Sequence, residues 1–183
     1  MNNSQSLVSK PRTVNVVAST KSSKSLNIEK IARSLQHSIY EPDTFPGLIH
    51  RTLNPKATLI IFASGKITST GTSSEKDATN TIFSTMFSIE KILQTKLLLD
   101  PIKIVNTVSV ISMNQSLDLK KISKIFPKSN YNKIQFPAIF IRSHSKTTIL
   151  AFSSGKLVSV GAASEKLSRQ SLTQVSSEII SKI

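Results

Sequence analysis

The chain has 183 residues, with 24 Lys and Arg against 10 Asp and Glu, a formal charge of +14, 38% hydrophobic residues and no cysteine. That apolar share is enough for the core of one large or two small domains, the charge points to a polyanionic partner with nucleic acid first in line, and the missing thiols exclude a disulfide framework and a thiolate metal site. No apolar run approaches the roughly 18 residues of a membrane span, and the start MNNSQSLVSK lacks the apolar region of a signal peptide, so a soluble protein of a reducing compartment is expected.

In chain order, residues 1–10 form a polar tail expected to be disordered. Residues 13–19 (TVNVVAS) are β-branched and strand-like, and 26–35 (LNIEKIARSL) place Leu26, Ile28, Ile31 and Leu35 on one side of a short helix. The turn-bearing YEPDTFPG leads into expected strands at 48–53, 57–63 and 66–70, the last two joined by a tight Ser64-Gly65 turn. Gly71 ends the sheet. Thr72-Ser73-Ser74-Glu75 reads as a capped helix start, followed by a helical stripe of Ile82, Phe83, Met86, Ile89 and Leu93.

Beyond Asp100-Pro101 the plan repeats. LIIFASGKITSTG (59–71) returns as ILAFSSGKLVSVG (149–161), with Phe62 and Phe152, Gly65 and Gly155, Lys66 and Lys156, and Gly71 and Gly161 each 90 apart. Upstream the offset is 91, pairing Asn15 with Asn106, Ile31 with Ile122, Tyr40 with Tyr131, Phe45-Pro46 with Phe136-Pro137 and Arg51 with Arg142. The lost residue falls between Arg142 and Phe152, as expected of a hairpin loop. The first copy is taken as 11–99 and the second as 100–183.

Strand parity puts Ile60 and Phe62 on one face and Leu59 and Ile61 on the other, so both faces are apolar. Two helices per copy cover only one of them. The face with Ile60, Phe62, Leu150 and Phe152 is therefore either a second core or an apolar binding surface. Parity alone favours the core. Against that reading, Phe45 with Phe62 and Phe136 with Phe152 form two symmetric couples, each beside an arginine and a Ser-Gly-Lys turn. A core does not require a lysine in register with its phenylalanine.

At YEPDTFPGLIHR, IFASGK, FSSGK and GAASEKLSR the chain resembles the TATA-binding proteins of eukaryotic and archaeal transcription initiation, over nearly everything after residue 11. The resemblance implies an α+β fold, a pseudo-two-fold saddle whose ten-stranded curved antiparallel sheet seats DNA on its concave face and carries four helices on its convex side. It implies that Phe45, Phe62, Phe136 and Phe152 wedge between base steps. Asn15 and Asn106 would meet base-edge acceptors, with Val17, Val108, Ile60, Leu150, Thr68, Thr70, Val158 and Val160 around them. Arg51, Arg142, Lys66 and Lys156 would meet phosphates. The implied function is binding and bending of TATA-like duplex in the minor groove to nucleate a preinitiation complex. No enzyme activity, cofactor, metal or membrane is implied. The implied compartment is the nucleus, with an archaeal cytoplasm or a virus-infected cell as alternatives.

The family's transcription factor IIB contacts an acidic stirrup, which here corresponds to Glu41, Asp43 and Thr44; other general transcription factors are further expected partners. YEPDTFPGLIHR resembles the eukaryotic second half, while TTILAFSSGK and GAASEKLSR resemble the first half. Because the other stirrup, Tyr131-Asn132-Lys133-Ile134-Gln135, has no acid, a IIB-like factor is expected on the first copy. With the Phe and Asn positions nearly symmetric, DNA contacts alone are expected to specify orientation weakly. The rival reading is an interaction hub on the same fold that has lost TATA recognition. Catalysis finds no support, since His37, His50 and His144 sit on different elements without a carboxylate cluster, and Lys120, Lys121 and Lys124 read as a solvated helix face.

Overall fold

The computed structural model describes residues 8–143, 145 and 147–183. They form two compact units: residues 15–105, and residues 8–14 together with 106–183. The elements of the first copy are β1 (Arg12–Lys21), α1 (Ile28–Ser34), β2 (Ser38–Ile39), β3 (Gly47–Leu53), β4 (Lys56–Phe62), β5 (Lys66–Thr72) and α2 (Glu75–Leu93). Its strands lie in the order β2-β3-β4-β5-β1 with antiparallel pairing, for example Ile49 opposite Ile60 and Ile60 opposite Thr68. The second copy has β6 (Lys103–Ser112), α3 (Leu119–Ile125), β7 (Ala138–Arg142), β8 (Thr148–Phe152), β9 (Lys156–Ala162) and α4 (Glu165–Lys182), in the strand order β6-β9-β8-β7.

Local chemistry accounts for the boundaries. Asn27 Oδ1 accepts from the Lys30 N–H at 2.9 Å, Ser74 Oγ from Asp77 N–H at 3.0 Å and Ser164 Oγ from Leu167 N–H at 3.2 Å. Each such cap contributes about 1 kcal/mol by satisfying a donor the helix leaves open. Behind the strands, α2 buries Ala78, Ile82, Met86 and Ile89 against Val16, Leu48, Leu59, Ile61 and Ile67. In the other unit α4 buries Leu172, Val175 and Ile179 against Ile139, Ile141, Ile149 and Leu157.

The two cores treat polar groups differently. In the second-copy unit Ser168 Oγ reaches Ser109 Oγ at 2.8 Å and Ser159 Oγ at 3.1 Å, and Ser109 Oγ lies 3.3 Å from Thr13 Oγ1. The matching first-copy positions are Ala78, Ala18 and Ser69, and Ser69 Oγ is buried with no partner among the described residues.

Several expectations need correction. The strand count among the described residues is nine, not ten. The counterpart of β2 shrinks to one bridge, Asn130 to Phe140, where an asparagine, a poor strand former, replaces Ile39. Residues 8 and 9, expected in the tail, are paired: Val8 bridges Met113, and the Ser9 N–H donates to Ser112 O at 2.8 Å. Units and copies also differ, because Ile102 and Ile104 of the second copy pack on the first core, whereas Val8 packs on the second. Phe83 leaves the expected buried stripe and is 54% exposed, since the face centred on Ile82, Met86 and Ile89 turns it outward beside Phe87. Leu26 is buried but precedes α1.

Candidate nucleic-acid interface

Alternation along the strands sorts each sheet face. Leu59, Ile61, Ile67 and Ser69 are fully buried toward the helices, while Thr58, Ile60, Phe62, Thr68 and Thr70 on the opposite face are half-buried. The same holds for Ile149, Ala151, Leu157 and Ser159 against Thr148, Leu150, Phe152, Val158 and Val160. Asn15 and Val17 of β1 and Asn106 and Val108 of β6 are half-buried too, alternating with the buried Val16 and Ala18 and the buried Thr107 and Ser109. All six first-copy residues expected at base edges or in wedges on these strands share one face, and the six second-copy residues share its equivalent. Phe62 therefore is not a core residue. Nothing among the described residues of either unit packs a second layer on these faces.

The asparagines are held in a defined sense. Asn15 Oδ1 accepts from the Gly71 N–H at 2.8 Å, and Asn106 Oδ1 accepts from the Gly161 N–H at 2.8 Å. Since a backbone N–H needs an acceptor, the amide oxygen is the atom that faces the glycine and the NH2 group is turned the other way. The glycines sit at φ +98° and +81°, a left-handed conformation that suits only glycine at low cost. Register helps as well, because β1 bulges between Val16 and Ala18, and β6 between Thr107 and Ser109.

Phenylalanines cap each face. Phe45 and Phe62 meet edge to face with centroids 5.9 Å apart. Gly47 makes room for them: a Cβ there would come within 2.7 Å of Phe45 Cε1 and 3.1 Å of Phe62 Cε1. In the second copy Phe136 lies 6.2 Å from Phe152 and 5.3 Å from Phe140, so the cluster has three rings. Phe136 is 39% exposed and Phe140 37%. Phe140 is not among the expected site residues, although it stands 91 after Ile49 and directly opposite Leu150, which is the signal that finds it.

Arg51, Arg142, Lys66 and Lys156 are all exposed, the last three at strand ends and Arg51 within β3 opposite Thr58. Lys66 stands opposite Lys21 on neighbouring strands, an arrangement of like charges that is unfavourable until an anion arrives. Lys21, Lys66 and Lys103 line a groove of about 580 Å³ with Asp100 as its one acid. Lys21 and Lys103 are additions to the expected set; Lys103 is the repeat partner of Arg12.

Glu41, Asp43 and Thr44 are exposed in the loop before β3, where Glu41 O accepts from Thr44 N–H at 3.0 Å and Phe45 N–H at 2.8 Å. In the corresponding second-copy loop Asn132 does the same for Gln135 and Phe136, and its Oδ1 also accepts from the Ile134 N–H at 3.1 Å. The loops share a backbone scheme and differ in charge.

His37 and His50 line one groove that has no Asp or Glu in its lining. His50 is 8% exposed, with Nδ1 3.2 Å from Ser38 Oγ, and its pKa lies below the ordinary value mainly because burial disfavours the cation. The His37 charge lowers it further, while a backbone hydrogen bond with Gln36 works the other way. His37 is an exposed residue at φ 58°, and His144 lies outside the described residues. Among the described residues no group of three or more His, Asp or Glu could hold a metal, and no helix is long and apolar enough to cross a membrane.

Comparison with known proteins bears on this arrangement. The family model described as transcription factor TFIID (or TATA-binding protein, TBP) matches residues 10–92 and again 101–182, one match per copy. The TATA-box-binding protein of Archaeoglobus fulgidus is 32% identical over 90% of this chain and 92% of its own length. That of Picrophilus torridus is 36% identical over 90% and 91%. The solved structure of Methanococcus jannaschii TBP superposes with a TM-score of 0.81 at 32% identity, covering 94% of this chain and 99% of that one. A twofold match along the chain, full-length relatives and a common fold, joined to two equivalent faces each bearing an oriented asparagine and a phenylalanine cluster, place this protein in the TATA-binding protein family.

Proposed function

We propose that the protein binds TATA-like double-stranded DNA in the minor groove, bends it by phenylalanine wedges and nucleates a transcription preinitiation complex. The observation that carries this reading is the pair of asparagines whose amide oxygens are occupied by glycine N–H groups, so that each turns its NH2 group away from the glycine on a face with no second layer among the described residues of its unit. The minor groove of A·T pairs displays only the acceptors N3 and O2, to which such donors are complementary, while the guanine N2 amino group would oppose them. The half-buried Val17, Ile60, Val108 and Leu150 fit beside the donors because that groove floor has no donors of its own.

Phe45 with Phe62, and Phe136 with Phe152, supply the wedges. Prying a base step apart costs a few kcal/mol, least at flexible TA steps, and TATA-binding proteins are the standard example of such a kink, with a bend of about 80°. Arg51, Arg142, Lys66 and Lys156, joined by Lys21 and Lys103, are placed for phosphates. A IIB-like factor with a basic contact surface would dock on the acidic loop at Glu41, Asp43 and Thr44. The work is binding and assembly, with no chemical step.

Hydroxyl-radical footprinting on a duplex with a single TATA-like element tests the reading. Protection confined to the element, and lost when G·C pairs replace it, is expected. Uniform weak protection along the duplex would instead support the hub that has lost TATA recognition.

A further inference from the structure

The two outer faces share one strand pattern, so a difference between them is not required by the fold. Across the first-copy face run Ser19, Thr68, Ile60 and Ile49, each opposite the next; across the second-copy face run Val110, Val158, Leu150 and Phe140 in the same pairing. One rung further, Thr70 corresponds to Val160. Hydroxyl groups at Ser19, Thr68 and Thr70 thus stand where the second-copy face has the methyl groups of Val110, Val158 and Val160, while Thr58 and Thr148 keep a hydroxyl on both faces.

The hydrogen bonds show what those hydroxyls present. Ser19 Oγ donates to Ile67 O at 3.0 Å. A hydroxyl has one proton, so in its 3.4 Å contact with Thr68 Oγ1 the donor is Thr68. Thr70 Oγ1 donates to Asn15 Oδ1 at 3.2 Å, the same oxygen that takes the Gly71 N–H. Both threonines therefore spend their protons inside the protein and offer acceptor lone pairs on the outer face. Val158 and Val160 offer nothing polar there.

We propose that the two copies read different half-sites: the first-copy face accepts a G·C pair beneath Thr68 and Thr70, whereas the second-copy face rejects it, so base composition orients the protein on the element. This rests on the minor-groove reading above and revises the expectation of nearly symmetric contacts. The guanine N2 amino group is the one donor in the minor groove, and the two threonine oxygens can accept it. Val158 and Val160 would strip the same group of water and give it no acceptor, and the Thr148 hydroxyl opposite Val160 has its equivalent in Thr58 on the first-copy face, so it does not offset the difference. The three-ring cluster of Phe136, Phe140 and Phe152 adds to the apolar character of that half.

The test uses the full chain and a palindromic A·T duplex into which one G·C pair is introduced on either side of the centre, with affinity read by competition. Because the chain has no cysteine, Lys133→Cys carries a DNA-cleaving probe at one known place and reports which half lies under the second copy. The expected result is that the G·C-bearing half lies away from the probe, and that the penalty for G·C under the first copy is at least tenfold smaller than under the second, the order of a single base-pair discrimination. Thr68→Val with Thr70→Val should bring the ratio of the two penalties to about one, read as that ratio whatever the change in affinity for the all-A·T duplex. Equal penalties in both halves, random probe placement, or a difference that survives the double valine variant would overturn the proposal while the minor-groove reading stands. Failure to prefer the all-A·T duplex over a G·C-rich one would overturn both.

Discussion

Asn15 and Asn106 each lend the amide oxygen to a glycine N–H, and that bond decides that the NH2 end of the side chain is the one turned away from the glycine. Replacing Asn106 by Asp keeps an oxygen for Gly161 but exchanges the outward donors for a carboxylate oxygen facing groove acceptors and phosphates. Affinity should fall by at least about 1–3 kcal/mol, the worth of a specific base contact, with the melting temperature little changed. Fluorescence anisotropy and a thermal melt on the same sample check this; unchanged affinity would remove the asparagine from the site. His50 gives a second prediction. Its pKa is lowered in the folded protein by burial, so below the ordinary value near 6.5 the unfolded chain binds a proton that the folded one resists. Stability should therefore be flat above that value and decline as pH falls below about 6.5, in urea titrations, and a His50→Gln variant should flatten this part of the profile. A decline of the same size in the variant would assign the effect to other groups.

Within β4, adjacent residues do opposite work. Ile61 is fully buried against α2's core residues and Phe62 is half-buried on the outer face. Ile61→Ala should cost about 2–5 kcal/mol of stability through lost burial and a cavity. Phe62→Ala should instead cost about 1–3 kcal/mol of DNA affinity, the range for a lost base-stacking contact, with a smaller change in stability. If the Phe62 variant loses as much stability as affinity, its ring belongs to the core after all. Charge follows the strand ends: Lys66→Ala should reduce the slope of log affinity against log salt by about 1 and weaken all sequences alike. At the loop before β3, Glu41→Arg should abolish recruitment of a IIB-like factor in a gel-shift assay and leave binary DNA binding intact, because opposite charge is available at that loop alone. Normal recruitment by that variant would move the docking site elsewhere.

These elements also differ in how far sequence reveals them. The alternation of Leu59, Ile60, Ile61 and Phe62 and its recurrence 90 residues later make the two-faced strand legible, and the SGK turns make the hairpins legible. Strand β2 is illegible because two residues cannot display a period. Phe83 falls on the wrong side because helical spacing tolerates a neighbour about 100° off the buried stripe, and only the packing of α2 fixes which side is inward. Phe140 escapes a motif-based reading because its pairing with Leu150 brings it to Phe136. The contrast of Thr68 and Thr70 with Val158 and Val160 is legible at the repeat offset, whereas the direction in which the threonine protons point is set by the fold.

For the whole molecule, a charge of +14 is suited to long-range attraction to a polyanion without sequence preference, and in the proposed function the two duplicated faces would supply the preference. Duplication gives each unit its own oriented asparagine and its own phenylalanine cluster, as a bend with a wedge at either end requires. The divergence of the copies, in the Glu41 and Lys133 loops and in Thr68 against Val158, is where direction can enter. The central claim is that binding and bending are one event driven by inserted rings. Energy transfer between dyes at the two ends of a TATA-bearing duplex tests it most directly. The wild-type protein should shorten the end-to-end distance sharply, and the variant with Phe45, Phe62, Phe136 and Phe152 all changed to Ala should bind weakly and leave the duplex straight. A duplex that is bound at the element yet unbent by the wild-type protein, or bent equally by the four-alanine variant, would contradict it.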